Sequence, residues 1–244
     1  MTEPSIAWDV DVLFGKAPKH DVDASVEAVS GSLAGHGVAG AFACSLRGAL
    51  YQAGEGNDET LAAARAAAAP RLVPVGTVDC RDALVAEAEV ARLADAGVRV
   101  VRLFPVEQGA EPEHPGFRHI VDVSLAAGMT ILTEGDVRRF WMPFADRGAR
   151  VCFLDVHAYH VADFVLLARR EPGFVASTRL LNSPDSIERI AGEVGAGHLA
   201  YGSRAPLHAV GPAALRLRRA ALAPAEWAMV AGGTAAGWLE AGTP

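Results

Sequence analysis

Eight short β-branched segments recur along the chain at intervals of roughly 30 residues, the count and spacing of a (β/α)8 TIM barrel. They run over 7–13, 38–45, 72–78, 98–104, 130–134, 150–156, 174–180 and 198–203. The stretches between them carry helix signals. Ala83, Ala86, Val90, Leu93 and Ala94 fall on one face of a third helix, Glu89, Arg92 and Asp95 lie on the other, and Gly97 supplies its stop. Asp79 is expected to cap that helix. Asn57 is expected to open the Ala-rich second helix, which Pro70 closes. Ser183-Pro184 reads as the cap and first turn of the seventh helix, and a last helix is expected near Pro224 and Glu226.

With 244 residues and 51% apolar content the chain can bury one large core, so a single barrel domain over 1–244 is expected. The net charge of −7 and the scattered Lys and Arg residues argue against a nucleic-acid partner. Arg216, Arg218 and Arg219 form a short basic cluster that reads as a solvated helix face. Cys44, Cys80 and Cys152 cannot all pair and show no metal-ligand spacing, so reduced, buried thiols of a cytoplasmic protein are expected. No apolar run is long enough to span a bilayer, so no membrane partner is expected. Assembly into an oligomer is compatible with the sequence.

Strands of an all-parallel sheet are covered on both faces and read as nearly continuous apolar runs, so charged residues at their ends need a cause. By period-two alternation Asp9, Asp11 and Leu13 share one face of the first segment, as do Phe153, Asp155 and His157 on the sixth. Glu134 ends the fifth segment, Arg204 follows the eighth, Arg102 lies near the end of the fourth, and Arg179 and Asn182 sit at the end of the seventh. Chemistry in such a barrel gathers where strands end, so these residues are expected around one mouth, with Arg102, Arg179 and Asn182 binding substrate. The competing reading is a structural ion network, because buried charges must be paired. Asp9 reads as a backbone anchor, and His20 and His160 have weaker claims. Trp141, Met142 and Phe144 fit a pocket wall and helix packing equally well. Neither a phosphate-binding Gly-rich loop nor a nucleophile elbow is present, since 31–40 lacks the Gly-Lys-Ser/Thr ending and Gly202-Ser203-Arg204 is a strand end.

Five stretches carry a family likeness. They are Asp9-Val10-Asp11-Val12-Leu13-Phe14-Gly15, Gly56-Asn57, Arg71-Leu72-Val73-Pro74-Val75-Gly76-Thr77-Val78, Gly97-Val98-Arg99-Val100-Val101-Arg102-Leu103-Phe104-Pro105 and Tyr201-Gly202-Ser203-Arg204-Ala205-Pro206. In order and spacing the chain resembles the amidohydrolase superfamily, in the amidohydrolase-related branch of aminocarboxymuconate-semialdehyde decarboxylase and its relatives. The family opens with D-x-H-x-H-x-G and carries G-S-D-x-P at its eighth strand. The resemblance implies a divalent metal, often zinc, held by histidines of the first, fifth and sixth strands and by that aspartate. Here the corresponding positions are Asp11 and Leu13, Glu134, either Asp155 or His157, and Arg204.

Arginine cannot ligate a metal, and a cation beside Arg204 would be repelled, so no cofactor is expected. The alternative is a carboxylate-rich site that still holds a divalent metal such as Zn, Mn or Mg. The resemblance implies hydrolysis or non-oxidative decarboxylation of a small carboxylate-, amide- or ester-like substrate. Asp11, Glu134 and His157 are expected to move protons beside Asp155, and Arg204 to stabilise negative charge. The alternative is a noncatalytic relative that binds a ligand or partner. Replacement of the ligands by other charges rather than by apolar filler counts against it.

Overall fold

The computed structural model describes residues 4–240. Its eight parallel strands follow one another in sequence order: β1 (Asp9–Phe14), β2 (Gly40–Ser45), β3 (Arg71–Thr77), β4 (Val100–Leu103), β5 (Thr130–Thr133), β6 (Val151–Phe153), β7 (Phe174–Ser177) and β8 (Leu199–Ala200). The chain just past β8 closes the ring, for the Val10 amide donates to the Tyr201 carbonyl at 2.9 Å and the Leu13 amide to that of Ala205 at 2.7 Å. The TIM barrel expected from the segment spacing is therefore present. Most strands are shorter than the apolar runs suggest, because pairing ends where the backbone turns into the mouth loops. Glu134, Val156 and Ser203 lie in those loops.

Alternation decides what fills the barrel. On β4, Val101 and Leu103 face the surrounding helices, while Val100 joins the interior cluster with Leu13, Phe42, Cys44, Leu132, Cys152 and Val175. Arg102 follows Val100 on the same inward face and is fully buried. All three cysteines are buried and unpaired, and burial pushes the Cys44 thiol up to about 12. They are packing groups rather than reactive thiols.

The alternation expected on β1 and β6 does not hold. Pairing of β1 with β2 slips between Asp9↔Ala41 and Val12↔Ala43, so three steps on β1 oppose two on β2. This bulge puts Val10 and Leu13 inside and Val12 outside, and leaves Asp11 as the extra residue at the mouth. On β6, Phe153 packs outward against Phe144 and Phe174, and the strand ends before Asp155. Phe144 thereby resolves as helix packing, Trp141 as partly buried against the same outer core, and Met142 as exposed.

Three expected caps are also corrected. Asp82, not Asp79, accepts from the Val85 amide at the start of the helix Ala83–Asp95, while Asp79 pairs with Arg81. The helix expected to begin at Asn57 runs over Ala53–Ala66, which puts Asn57 one turn inside it and fully buried. The helix Ser186–Val194 is preceded by Asp185 in a left-handed conformation, and Ser183 bonds to Ser186 instead. Asn57 serves as a tie to β3, donating to the Thr77 carbonyl and accepting from its amide, each at 2.8 Å. Asn57→Ala leaves both groups unpaired in a dry interior and is expected to destabilise the protein by about 2–3 kcal/mol, read as a lowered urea midpoint.

The end at which the strands begin is sealed by the helix Thr234–Glu240. Its Trp238 packs edge-on against Phe42, which does the same against Trp8. Among the described residues no helix is long and apolar enough to cross a membrane.

Candidate active site

Six charged side chains meet at the opposite end, where the strands finish. The bulge of β1 turns Asp11 inward, and its two oxygens accept from two guanidiniums: Arg102 Nη1 at 2.7 Å and Arg179 Nη1 at 2.8 Å. Arg102 Nη2 bridges on to Glu134 Oε1 at 2.8 Å. Arg179 also pairs with Asp155, whose second oxygen accepts from the Gly135 amide at 2.9 Å. Arg204 Nη1 stands 3.7 Å from Glu134 Oε1, closing the set.

The order matters because the interior members differ from the outer ones. Arg102 is 1% exposed, and its guanidinium lies over the Phe104 ring at 4.7 Å. Burial alone would favour its neutral form, but Asp11 and Glu134 outweigh that and raise its pKa. For Asp11, burial, which would raise the pKa, is overcome by Arg102, Arg179 and Arg204, which hold the carboxyl down at about 2. Both its oxygens accept from guanidiniums, and it stays ionised near neutrality. Asp9 has the opposite character. Burial pushes it up to about 7, although one oxygen accepts from the Asp11 amide at 3.0 Å and the Ser203 amide at 3.1 Å. Those bonds anchor β1 to the chain beyond β8, as its sequence position suggests.

Arg204 is the outlier of the three guanidiniums. Its φ of +63° is an uncommon conformation for a side-chain-bearing residue. The backbone around it is tied down, since the Leu13 amide reaches the Ala205 carbonyl, the His208 amide the Arg204 carbonyl, and the Ala205 amide Ser203 Oγ. The guanidinium itself makes no hydrogen bond to a described residue, is 27% exposed, and opens into a pocket of about 60 Å³. Glu134 shares that floor, and Leu13, Leu46, Leu50, Phe104 and Leu207 form the walls.

The structure therefore brings together Asp11, Arg102, Glu134, Asp155, Arg179 and Arg204. It does not bring His157 or Asn182 into the set. The His157 ring stacks on Tyr159 at 4.8 Å and meets His160 edge-on, and Asn182 is exposed. His20 lines the pocket. Sequence reasoning missed Lys19 and Glu107, which pair with each other at the pocket's outer end. It also missed Arg216, whose guanidinium donates to the Thr178 and Arg179 carbonyls at 3.2 Å each and steadies the turn that presents Arg179. The basic cluster is thus not a purely solvated face.

No family model matches the chain, and no curated protein matches its sequence. Solved structures do. The chain superposes on an uncharacterised TIM-barrel protein of Bordetella bronchiseptica with a TM-score of 0.78 at 15% identity, covering 96% of this chain and 98% of that one. For 5-carboxyvanillate decarboxylase of Sphingomonas paucimobilis the TM-score is 0.74 at 14% identity, over 97% and 99% of the two chains. For a dihydroxybenzoic acid decarboxylase of Polaromonas sp. JS666, which holds manganese and the inhibitor 2-nitroresorcinol, it is 0.76 at 10% identity, over 99% and 98%.

Manganese is bound in that enzyme and in 5-carboxyvanillate decarboxylase of Novosphingobium aromaticivorans, which overturns the expectation of no cofactor. The residues at this mouth do not fit such a cation as they stand. Both Asp11 oxygens, Glu134 Oε1 and both Asp155 oxygens already face N–H donors, and no group of three or more His, Cys, Asp or Glu among the described residues is arranged to hold a metal. At these identities the likeness is one of fold: this chain has the (β/α)8 barrel found in those decarboxylases, the fold that the resemblance read from the sequence implies.

Proposed function

We propose that the mouth is the active site of a hydrolase or non-oxidative decarboxylase acting on a small carboxylate-, amide- or ester-like substrate. The observation that carries this reading is Arg204: a charged, planar, five-donor group that makes no hydrogen bond to a described residue and lines a pocket beside a carboxylate. Its donors suit a substrate carboxylate or the oxyanion of an acyl-transfer transition state. Glu134 supplies the proton-transfer group. Arg102 holds its Oε1, and Oε2 makes no hydrogen bond to a described residue.

In hydrolysis Glu134 takes a proton from the attacking water and returns it to the leaving group as the C–N or C–O bond breaks, while Arg204 donates to the oxyanion. In decarboxylation the C–C bond breaks and CO2 leaves, and the electron pair left on carbon is taken up by a proton that Glu134 has first gained from solvent water and then delivers, which returns it to the carboxylate. Asp11, Arg179 and Asp155 act as positioning residues through Arg102 and the turn at 178–180. The decarboxylase activity of the structural neighbours supports this class of reaction.

A screen of small acids, amides and lactones, with and without added manganese, tests the reading. Arg204→Ala is expected to lower turnover about 100-fold. Glu134→Gln is expected to lower it by about 100-fold or more with the fold retained. Wild-type turnover in both variants would contradict the assignment. A compound that raises the melting temperature without being turned over would mark a noncatalytic binding protein instead.

A further inference from the structure

The pocket over Arg204 has two ends of different electrical character. At the floor, Arg204 presents a guanidinium whose one carboxylate neighbour, Glu134, is already bonded by Arg102. At the outer end Lys19, on the loop after β1, is ion-paired with Glu107 in the short helix Pro105–Gln108, and both residues line the pocket. The neck of that loop is fixed by the Gly15 amide donating to the Ala24 carbonyl at 2.6 Å, and Gly15 has the positive φ that the sharp exit from β1 requires. Apart from His20, the rest of the lining is apolar. An acid bound carboxylate first therefore has an available cation at its head, apolar walls along its body, and a cation already neutralised beside its tail.

We infer that Glu107 sets the charge selectivity of this site. By neutralising Lys19 it confines the pocket to substrates with one carboxylate on an apolar body and turns away diacids. The inference rests on the reading of Arg204 as a carboxylate anchor. A second carboxylate would leave water without gaining a free partner and would face Glu107 across a short distance. Glu107→Gln keeps the shape and removes the anion, so Lys19 becomes the partner that a second carboxylate lacks. Glu107 is 38% exposed and its ion-pair partner among the described residues is Lys19, not any of the six charges at the floor, so the substitution leaves them intact.

The test is calorimetric titration with straight-chain monoacids from butyrate to octanoate and the diacids from succinate to suberate. Wild type is expected to bind monoacids in preference to diacids of equal length. Glu107→Gln is expected to bind at least one diacid about three- to fivefold tighter than wild type does, with monoacids unchanged. The gain should disappear at about 1 M salt, where charges are screened within a few ångströms, and in the double variant with Lys19→Gln. Wild type that binds diacids as tightly as monoacids, or Glu107→Gln with an unchanged ratio, overturns the selectivity while leaving the anchor standing. Monoacid binding that is absent in wild type, or indifferent to Arg204→Ala, removes the anchor and the selectivity built on it together.

Discussion

Arg102→Ala is expected to destabilise the protein by about 3–5 kcal/mol, because it removes one partner from a buried ion network and leaves charges without compensation. Arg102 lies inside the barrel and joins Asp11 on β1 to Glu134 beyond β5 through separate nitrogens. Without it Asp11 keeps only Arg179, and Glu134 keeps only a guanidinium 3.7 Å away. For a chain of this size that corresponds to a melting temperature lower by roughly 10 °C. Arg102→Lys keeps the charge but loses the rigid fork that spans two carboxylates, so an intermediate loss is expected. Thermal unfolding of the three proteins checks this, and a wild-type midpoint in Arg102→Ala would mean that the carboxylates are held by something else.

The second large effect has the opposite sign and depends on pH. Asp9 keeps its proton in the folded protein up to about pH 7, against an ordinary value of 3.8. Below 3.8 folded and unfolded chains are both protonated, and the pH-dependent part of the burial penalty vanishes. As the pH rises from 3.8 to 7 the unfolded chain ionises while the folded one does not, so stability falls by as much as about 4 kcal/mol across that window. Asp9→Asn cannot ionise, yet its carbonyl can still accept from the Asp11 and Ser203 amides. It is expected to match wild type near pH 4 and to exceed it by several kcal/mol near pH 8. Asp11, held down at about 2, contributes stability that is present above 3.8 and lost as the pH falls through 2, so it shapes the acid limb alone. Urea unfolding at several pH values separates the two, and a pH-independent difference between Asp9→Asn and wild type would contradict the buried proton.

What can be read from the sequence follows from periodicity, and what cannot depends on register and on loops. The spacing of eight β-branched runs implies the barrel, and alternation along Val100-Val101-Arg102-Leu103 puts Arg102 inside. Family resemblance points to Asp11, whereas the bulge that turns it into the mouth exists only in the pairing of β1 with β2. Asn57 has the residue type of a cap. It is buried because its helix starts four residues earlier and crosses the helix Leu46–Leu50 so closely that a Cβ on Gly56 would sit 2.1 Å from the Gly48 nitrogen. Arg216 reads as solvated until the helix Val210–Arg219 packs against the turn after β7. Lys19 and Glu107 lie 88 residues apart on two loops, and no local pattern joins them. A strand-end position favours His157, but β6 ends at Phe153 and the loop carries the ring to Tyr159 and His160.

The most direct test of Arg204 as the substrate anchor is a crystal structure of the wild-type protein soaked with hexanoate. A carboxylate within hydrogen-bond distance of the Arg204 guanidinium, with the alkyl chain against Leu13, Leu46, Phe104 and Leu207, is the expected result. Hexanoate bound away from the barrel mouth, or in the pocket with Arg204 swung out to solvent, would contradict it.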